Sequence, residues 1–121
     1  DCMAKSQYDW VFDAYTKWQA EKTKANSDEL WMACWYQMRI VVLRQARKLQ
    51  HAIEYDELKG IITDSTINVI RYFETHDRVA YQKLYNIFKN QNKKAFRAYN
   101  YSIKKYKRAQ KEAVDEIHYS R

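Results

Sequence analysis

A chain of 121 residues with one glycine (Gly60), no proline and a formal net charge of +7 is long enough for one domain with a single modest core. So few turn and punctuation residues exclude a strand-rich fold and point to an all-α one. The longest aliphatic run, Ile40-Val41-Val42-Leu43, is far too short to cross a bilayer, and Asp1-Cys2-Met3 opens with an acid and no apolar run behind it, so no signal peptide is expected.

The first predicted helix runs from about Ser6 to Glu21. Tyr8, Val11, Phe12, Tyr15 and Trp18 recur at three- and four-residue steps, and Ser6 with Asp9 three residues later resembles a capping box. Residues 22–27 break the pattern and read as a connection. The second helix is expected to start at Asn26 or Ser27, with Asp28 and Glu29 at its positive end. Its wide apolar stripe comprises Trp31, Cys34, Trp35, Met38, Val41, Val42, Leu49 and Ile53. Arg39, Arg44, Arg47 and Lys48 fall on the opposite face or in the last turns.

A phase change around His51–Tyr55 leaves Asp56 as a plausible cap for a third helix from about Glu57 to Phe73. Leu58, Ile62, Val69, Ile70 and Phe73 form its predicted inner face, with Ile61 and Thr66 alongside. Lys59, Gly60, Thr63, Asp64, Ile67, Asn68 and Arg71 then project outward. A glycine inside a helix costs roughly 1 kcal/mol relative to alanine. Either a close approach by another backbone or a partner, or a short surface irregularity, accounts for it.

The last helical region is expected to begin near Asp77 or Arg78, to change direction near Asn90-Gln91-Asn92 and to reach about His118. Val79, Leu84, Ile87, Phe88, Ala95 and Tyr99 are its core candidates. Beyond Tyr99 the apolar positions thin out to Ile103, Tyr106, Val114 and Ile117. Such a tail is expected to extend past the core or fray, over about residues 109–121. The fold class is therefore a compact all-α bundle of about four helices with a long basic C-terminal helix, in one domain spanning 1–121.

Charge is the strongest functional signal. From Arg78 to Lys111 there are eleven Lys or Arg residues and no Asp or Glu, whereas residues 1–77 hold ten basic and twelve acidic groups. One stretch thus carries the whole cationic excess, the electrostatic footprint of a polyanion site; a solvated helix face is the blander alternative. Catalysis finds no support. His51, His76 and His118 are too scattered for a ligand set, Cys2 and Cys34 form no metal motif or disulfide framework, and no phosphate-cradling glycine loop exists. The chain is read as no enzyme, needing no metal and no cofactor, with reduced thiols.

The segment Lys83-Leu84-Tyr85-Asn86-Ile87-Phe88-Lys89-Asn90, with Arg97 seven residues on, resembles the Trp-Leu-Tyr-x-Ile-Ala-Arg-Asn signature of region 2 in small bacterial sigma factors. Glu57-Leu58 stands where that family has Asp-Leu at the start of its polymerase-binding helix, Arg71-Tyr72-Phe73-Glu74 where an aromatic closes it, and Tyr81 at the family's Phe. The succession is also similar to that of phage late sigma factors. The resemblance spans about residues 28–108. Lys83 replaces the usual Trp, Ile61 stands where an acid is common, and no second helix-turn-helix domain follows.

The resemblance implies a transcription initiation protein that binds multisubunit RNA polymerase at the large-subunit clamp helices and engages and melts promoter DNA. It further implies a cytoplasmic location in a bacterial host cell and no membrane partner, and leaves open whether a second protein supplies upstream recognition. The implied polymerase-binding set is Glu57, Lys59, Gly60, Thr63, Asp64, Ile67, Asn68 and Arg71. For DNA, Phe88, Phe96, Tyr99 and Tyr101 are implied stacking groups and Lys89, Lys93, Lys94 and Arg97 phosphate contacts. Asn90 and Gln91 are implied readers of a base edge, and Lys104, Lys105, Lys107 and Arg108 would lie along upstream duplex or polymerase. Phe88 and Tyr99 fit a core equally well. Two alternatives stay open: a sequence-independent nucleic-acid-binding protein, such as a small subunit of an RNA-guided complex, and a helical adaptor for an acidic protein or lipid surface.

Overall fold

Apolar periodicity becomes a buried helix face wherever caps and breaks set the ends, and here it does so four times. The computed structural model describes residues 7–49 and 53–119 as helices α1 (Gln7–Ala20), α2 (Lys24–Arg47), α3 (Tyr55–Thr75) and α4 (Leu84–Tyr119), with a 3-10 turn at Tyr81–Lys83. No strand occurs among the described residues. The helices form a compact all-α bundle.

Of the predicted α1 stripe, Val11, Tyr15 and Trp18 are buried, joined by Ala14, while Tyr8 and Phe12 are half-buried. The expected cap Ser6 lies outside the described residues. Helix α2 starts earlier than its composition implies, because Thr23 and not Asn26 or Ser27 caps it. The Asn26 backbone N–H donates to the Thr23 hydroxyl at 3.1 Å, a cap contributing about 1 kcal/mol. Asn26, already inside the helix, turns its side-chain amide back to donate to the Glu21 carbonyl at 2.8 Å. That bond closes the α1–α2 connection without glycine or proline.

The buried seam of α2 is Leu30, Ala33, Cys34, Gln37, Met38 and Val42, rotated from the expected stripe. Ala33 and Cys34 are fully buried where α2 packs between α1 and α3, and Trp31 is left 37% exposed. Trp10 stacks on Tyr36 at 6.1 Å, and both are exposed. Burial pushes the Cys34 thiol far above its usual range, so it is an inert core group; Cys2 lies outside the described residues.

Helix α3 begins at Tyr55, with Glu54 in the cap position but making no side-chain cap bond. Asp56, the expected cap, instead sits in the first turn with Glu57, where negative charge still suits the helix dipole. Its core face is Ile61, Ile62, Ser65, Thr66, Val69 and Phe73, while Leu58 and Ile70 are half-buried. Thr66 is tolerated inside because its hydroxyl donates to the Ile62 carbonyl at 2.7 Å.

Residues 76–80 form a non-helical elbow, so the last helix starts later than Asp77. The elbow is held by α1. The Val79 N–H donates to the Tyr15 hydroxyl at 3.1 Å, Gln19 donates its side-chain amide to the Asp77 carbonyl, and Phe12 meets Tyr81 edge-on at 5.6 Å. Beyond it α4 is continuous, and the expected change of direction at Asn90-Gln91-Asn92 does not occur. Gln91 and Asn92 are buried in the bundle, so packing holds the helical ladder through a sequence that alone would favour a turn. Leu84, Ile87, Phe88, Ala95 and Phe96 face inward, each large one contributing about 1.5–3 kcal/mol by burial. Tyr99 and Ile103 are half-buried, and every residue from Lys104 to Ile117 is exposed. About 20 Å of helix therefore stands clear of the bundle.

Candidate nucleic-acid interface

A helix turns by about 100° per residue, so spacing alone sorts α4 into faces. Leu84, Phe88, Asn92, Ala95 and Tyr99 share the inward side. Lys89, Lys93 and Arg97 recur at four-residue steps on the outward side, and Lys104, Arg108 and Lys111 return to it. Lys94, Asn90 and Tyr101 flank them. All of these outward residues are exposed, and no acidic residue interrupts the run between Arg78 and Lys111. A polyanion laid along this face would meet cations in two groups, from Lys89 to Arg97 and from Lys104 to Lys111, separated by the uncharged turn at residues 98–103.

The inward side removes three expected DNA contacts. Phe88 is 0% exposed, Phe96 6% and Gln91 7%. Phe88 meets Tyr8 edge-on at 5.3 Å, so it fills the core between α1 and α4. Neither ring has a face to offer a base, and Gln91 has no edge to read one with. Tyr99 is occupied as well: its hydroxyl donates to Oε2 of Glu57 at 2.6 Å. Through that bond and burial the phenol is pushed up to about 12, so it stays a neutral donor at neutral pH. Glu57, expected at the polymerase surface, is thus tied to α4. The ring left open is Tyr85, 58% exposed with the Lys89 ammonium 5.9 Å from its centroid; Tyr101 is exposed too.

Sequence reading missed two further cations. Arg44 and Lys48, four residues apart on α2, line one cleft with Lys89, Tyr8, Tyr85, Gln37 and Asn92. Burial pushes the Tyr8 phenol up. Nothing in the α2 sequence marks Arg44 and Lys48 off from a solvated face; only the packing of α2 against α4 brings them beside Lys89. Polar and apolar groups share the cleft lining about equally, with Gln37 and Asn92 among the polar ones.

On α3 the remaining outward set divides. Lys59, Gly60, Asp64 and Arg71 are exposed, whereas Thr63, Ile67 and Asn68 are half-buried. A methyl added at Gly60 would meet nothing within 4 Å, so no close approach within the bundle explains this glycine. Gly60→Ala is therefore expected to raise stability by about 0.5–1 kcal/mol in urea unfolding. Helices α3 and α4 pack directly on each other, pinned by the Glu57–Tyr99 bond.

Among the described residues no cluster of three or more His, Cys, Asp or Glu is placed to hold a metal ion, and no helix is long and apolar enough to cross a membrane. Compared with protein families, curated proteins and solved structures, the chain matches none.

Proposed function

We propose that this chain is a sigma-factor-like transcription initiation protein, encoded by a phage or similar element, acting in the cytoplasm of a bacterial host. Its third helix would grip the clamp helices of multisubunit RNA polymerase through Lys59, Gly60, Thr63, Asp64, Ile67, Asn68 and Arg71. The outward face of α4 would hold promoter DNA through Lys89, Lys93, Lys94 and Arg97. The observation that carries the reading is adjacency: the mixed polar face and the acid-free cationic face belong to two helices packed against each other. Partner and nucleic acid can then be engaged side by side. Opening a few base pairs costs several kcal/mol, offset here by phosphate neutralisation and by stacking on Tyr85 or Tyr101.

The burial of Phe88, Phe96 and Gln91 favours a second reading, in which the cations bind any nucleic-acid strand and polymerase plays no part. A pull-down with bacterial core polymerase separates the two. Stable capture is expected, and Asp64→Arg or Ile67→Glu is expected to weaken it by about thirtyfold or more, the effect of losing an interface hot spot. Absence of capture at micromolar concentration would leave the sequence-independent reading standing.

A further inference from the structure

We infer that the part of α4 beyond the bundle is a dimerisation element, pairing antiparallel with the same segment of a second copy of this chain. The inward face of α4 does not stop where the bundle stops. Tyr99 and Ile103 are half-buried, and the same stripe continues through Tyr106, Gln110 and Val114 at three- and four-residue steps. Tyr106 is 61% exposed and Val114 63% exposed, and α4 nonetheless remains helical to Tyr119. A lone helical extension of this length is marginal in water and ordinarily needs a packed face.

The order of charges says what that face would meet. Lys104, Lys105, Lys107, Arg108 and Lys111 come first; Glu112, Asp115 and Glu116 follow. Glu116, in the last turn, opposes the helix dipole, while Arg108 with Glu112 and Lys111 with Asp115 stand four residues apart and suit ion pairs within one helix. A parallel copy would set like charge on like charge. An antiparallel copy sets each acidic end on the other's basic stretch. In register about Gln110, Tyr106 lies across from Val114 of the second copy, and the two Gln110 side chains meet at the two-fold axis, a polar layer of the kind that fixes register. Lys105 then lies beside Glu116 of the second copy, twice by symmetry. The opposite flank brings Lys107 near Lys111 of the second copy, a cationic pair that opposes pairing and that a bound phosphate would neutralise. The inference is independent of the polymerase reading.

The shared seam is short, below the size of a standard specific interface, so weak association, at about 10 μM, is expected. Sedimentation equilibrium of the full chain should show monomer at low micromolar concentration and dimer at several hundred micromolar. Val114→Glu, at an exposed position, should raise Kd by about a hundredfold with unchanged circular dichroism of the bundle. Lys105→Glu and Glu116→Lys should each weaken pairing severalfold, and the double exchange should restore it.

In a Cys2→Ser background, Tyr106→Cys mixed with Val114→Cys should give mainly mixed disulfide dimers. Symmetric disulfides alone would mean parallel pairing and overturn the proposal, as would a monomer at several hundred micromolar. So would a Val114→Glu variant that dimerises as well as the parent, or a segment that stays monomeric in solution and associates only with vesicles of anionic phospholipid.

Discussion

Replacing Lys93, Lys94 and Arg97 together with glutamate is expected to lower affinity for a forked DNA duplex by about a hundredfold to a thousandfold. The three lie on the exposed side of α4, inside the stretch that carries no acid, so reversal both removes attraction and introduces repulsion. Each neutralised phosphate contributes about 0.7–0.9 to the slope of log K against log salt. The triple variant should therefore flatten that slope by about 2 to 3, a signature that misfolding does not produce. Fluorescence anisotropy at several salt concentrations measures both quantities. An unchanged slope would place the polyanion elsewhere, with Arg44 and Lys48 the next cations to test.

Phe88→Ala is expected to destabilise the fold by about 3–5 kcal/mol, the range for emptying a buried aromatic site. Its ring is 0% exposed and sits edge-on to Tyr8 at 5.3 Å, so truncation opens a cavity between α1 and α4 that rigid helices cannot refill. Urea unfolding gives the magnitude. Phe88→Leu, which keeps most of the volume, should fold well enough for DNA titration and bind within about twofold of the parent. A large loss of DNA affinity in a folded Phe88→Leu protein would restore the stacking role that burial removes.

These two residues' worth of difference, cation against ring, explains how far the chain can be read without coordinates. Helix existence follows from Tyr8, Val11, Tyr15 and Trp18 on α1 and from Ile62, Val69 and Phe73 on α3, because their periodicity exceeds what loops tolerate. Helix starts are harder. Thr23, Asn26 and Ser27 are equally good caps by type, and only the turn of Asn26 back to Glu21 decides among them. The expected bend at residues 90–92 failed because tertiary burial of Gln91 and Asn92 overrides local preference. For the candidate site, exposure of Lys93, Lys94 and Arg97 was legible: a long cationic side chain is seldom buried unpaired. The roles of Phe88, Phe96 and Tyr99 were not, since an aromatic in an amphipathic helix serves a core or a surface equally well until its neighbours are known. Arg44 and Lys48 required knowledge of which helices touch.

Helix α1 meets the proposed DNA face at Tyr8, edge-on to Tyr85, and its grip on the elbow through Tyr15, Gln19 and Phe12 also holds the segment that joins α3 to α4. It acts as a buckle on a strap. Loosening it by a change such as Tyr15→Phe would leave every contacting side chain intact while letting one arm swing against the other, so partners that bind each arm singly would still bind, and only their joint engagement would suffer.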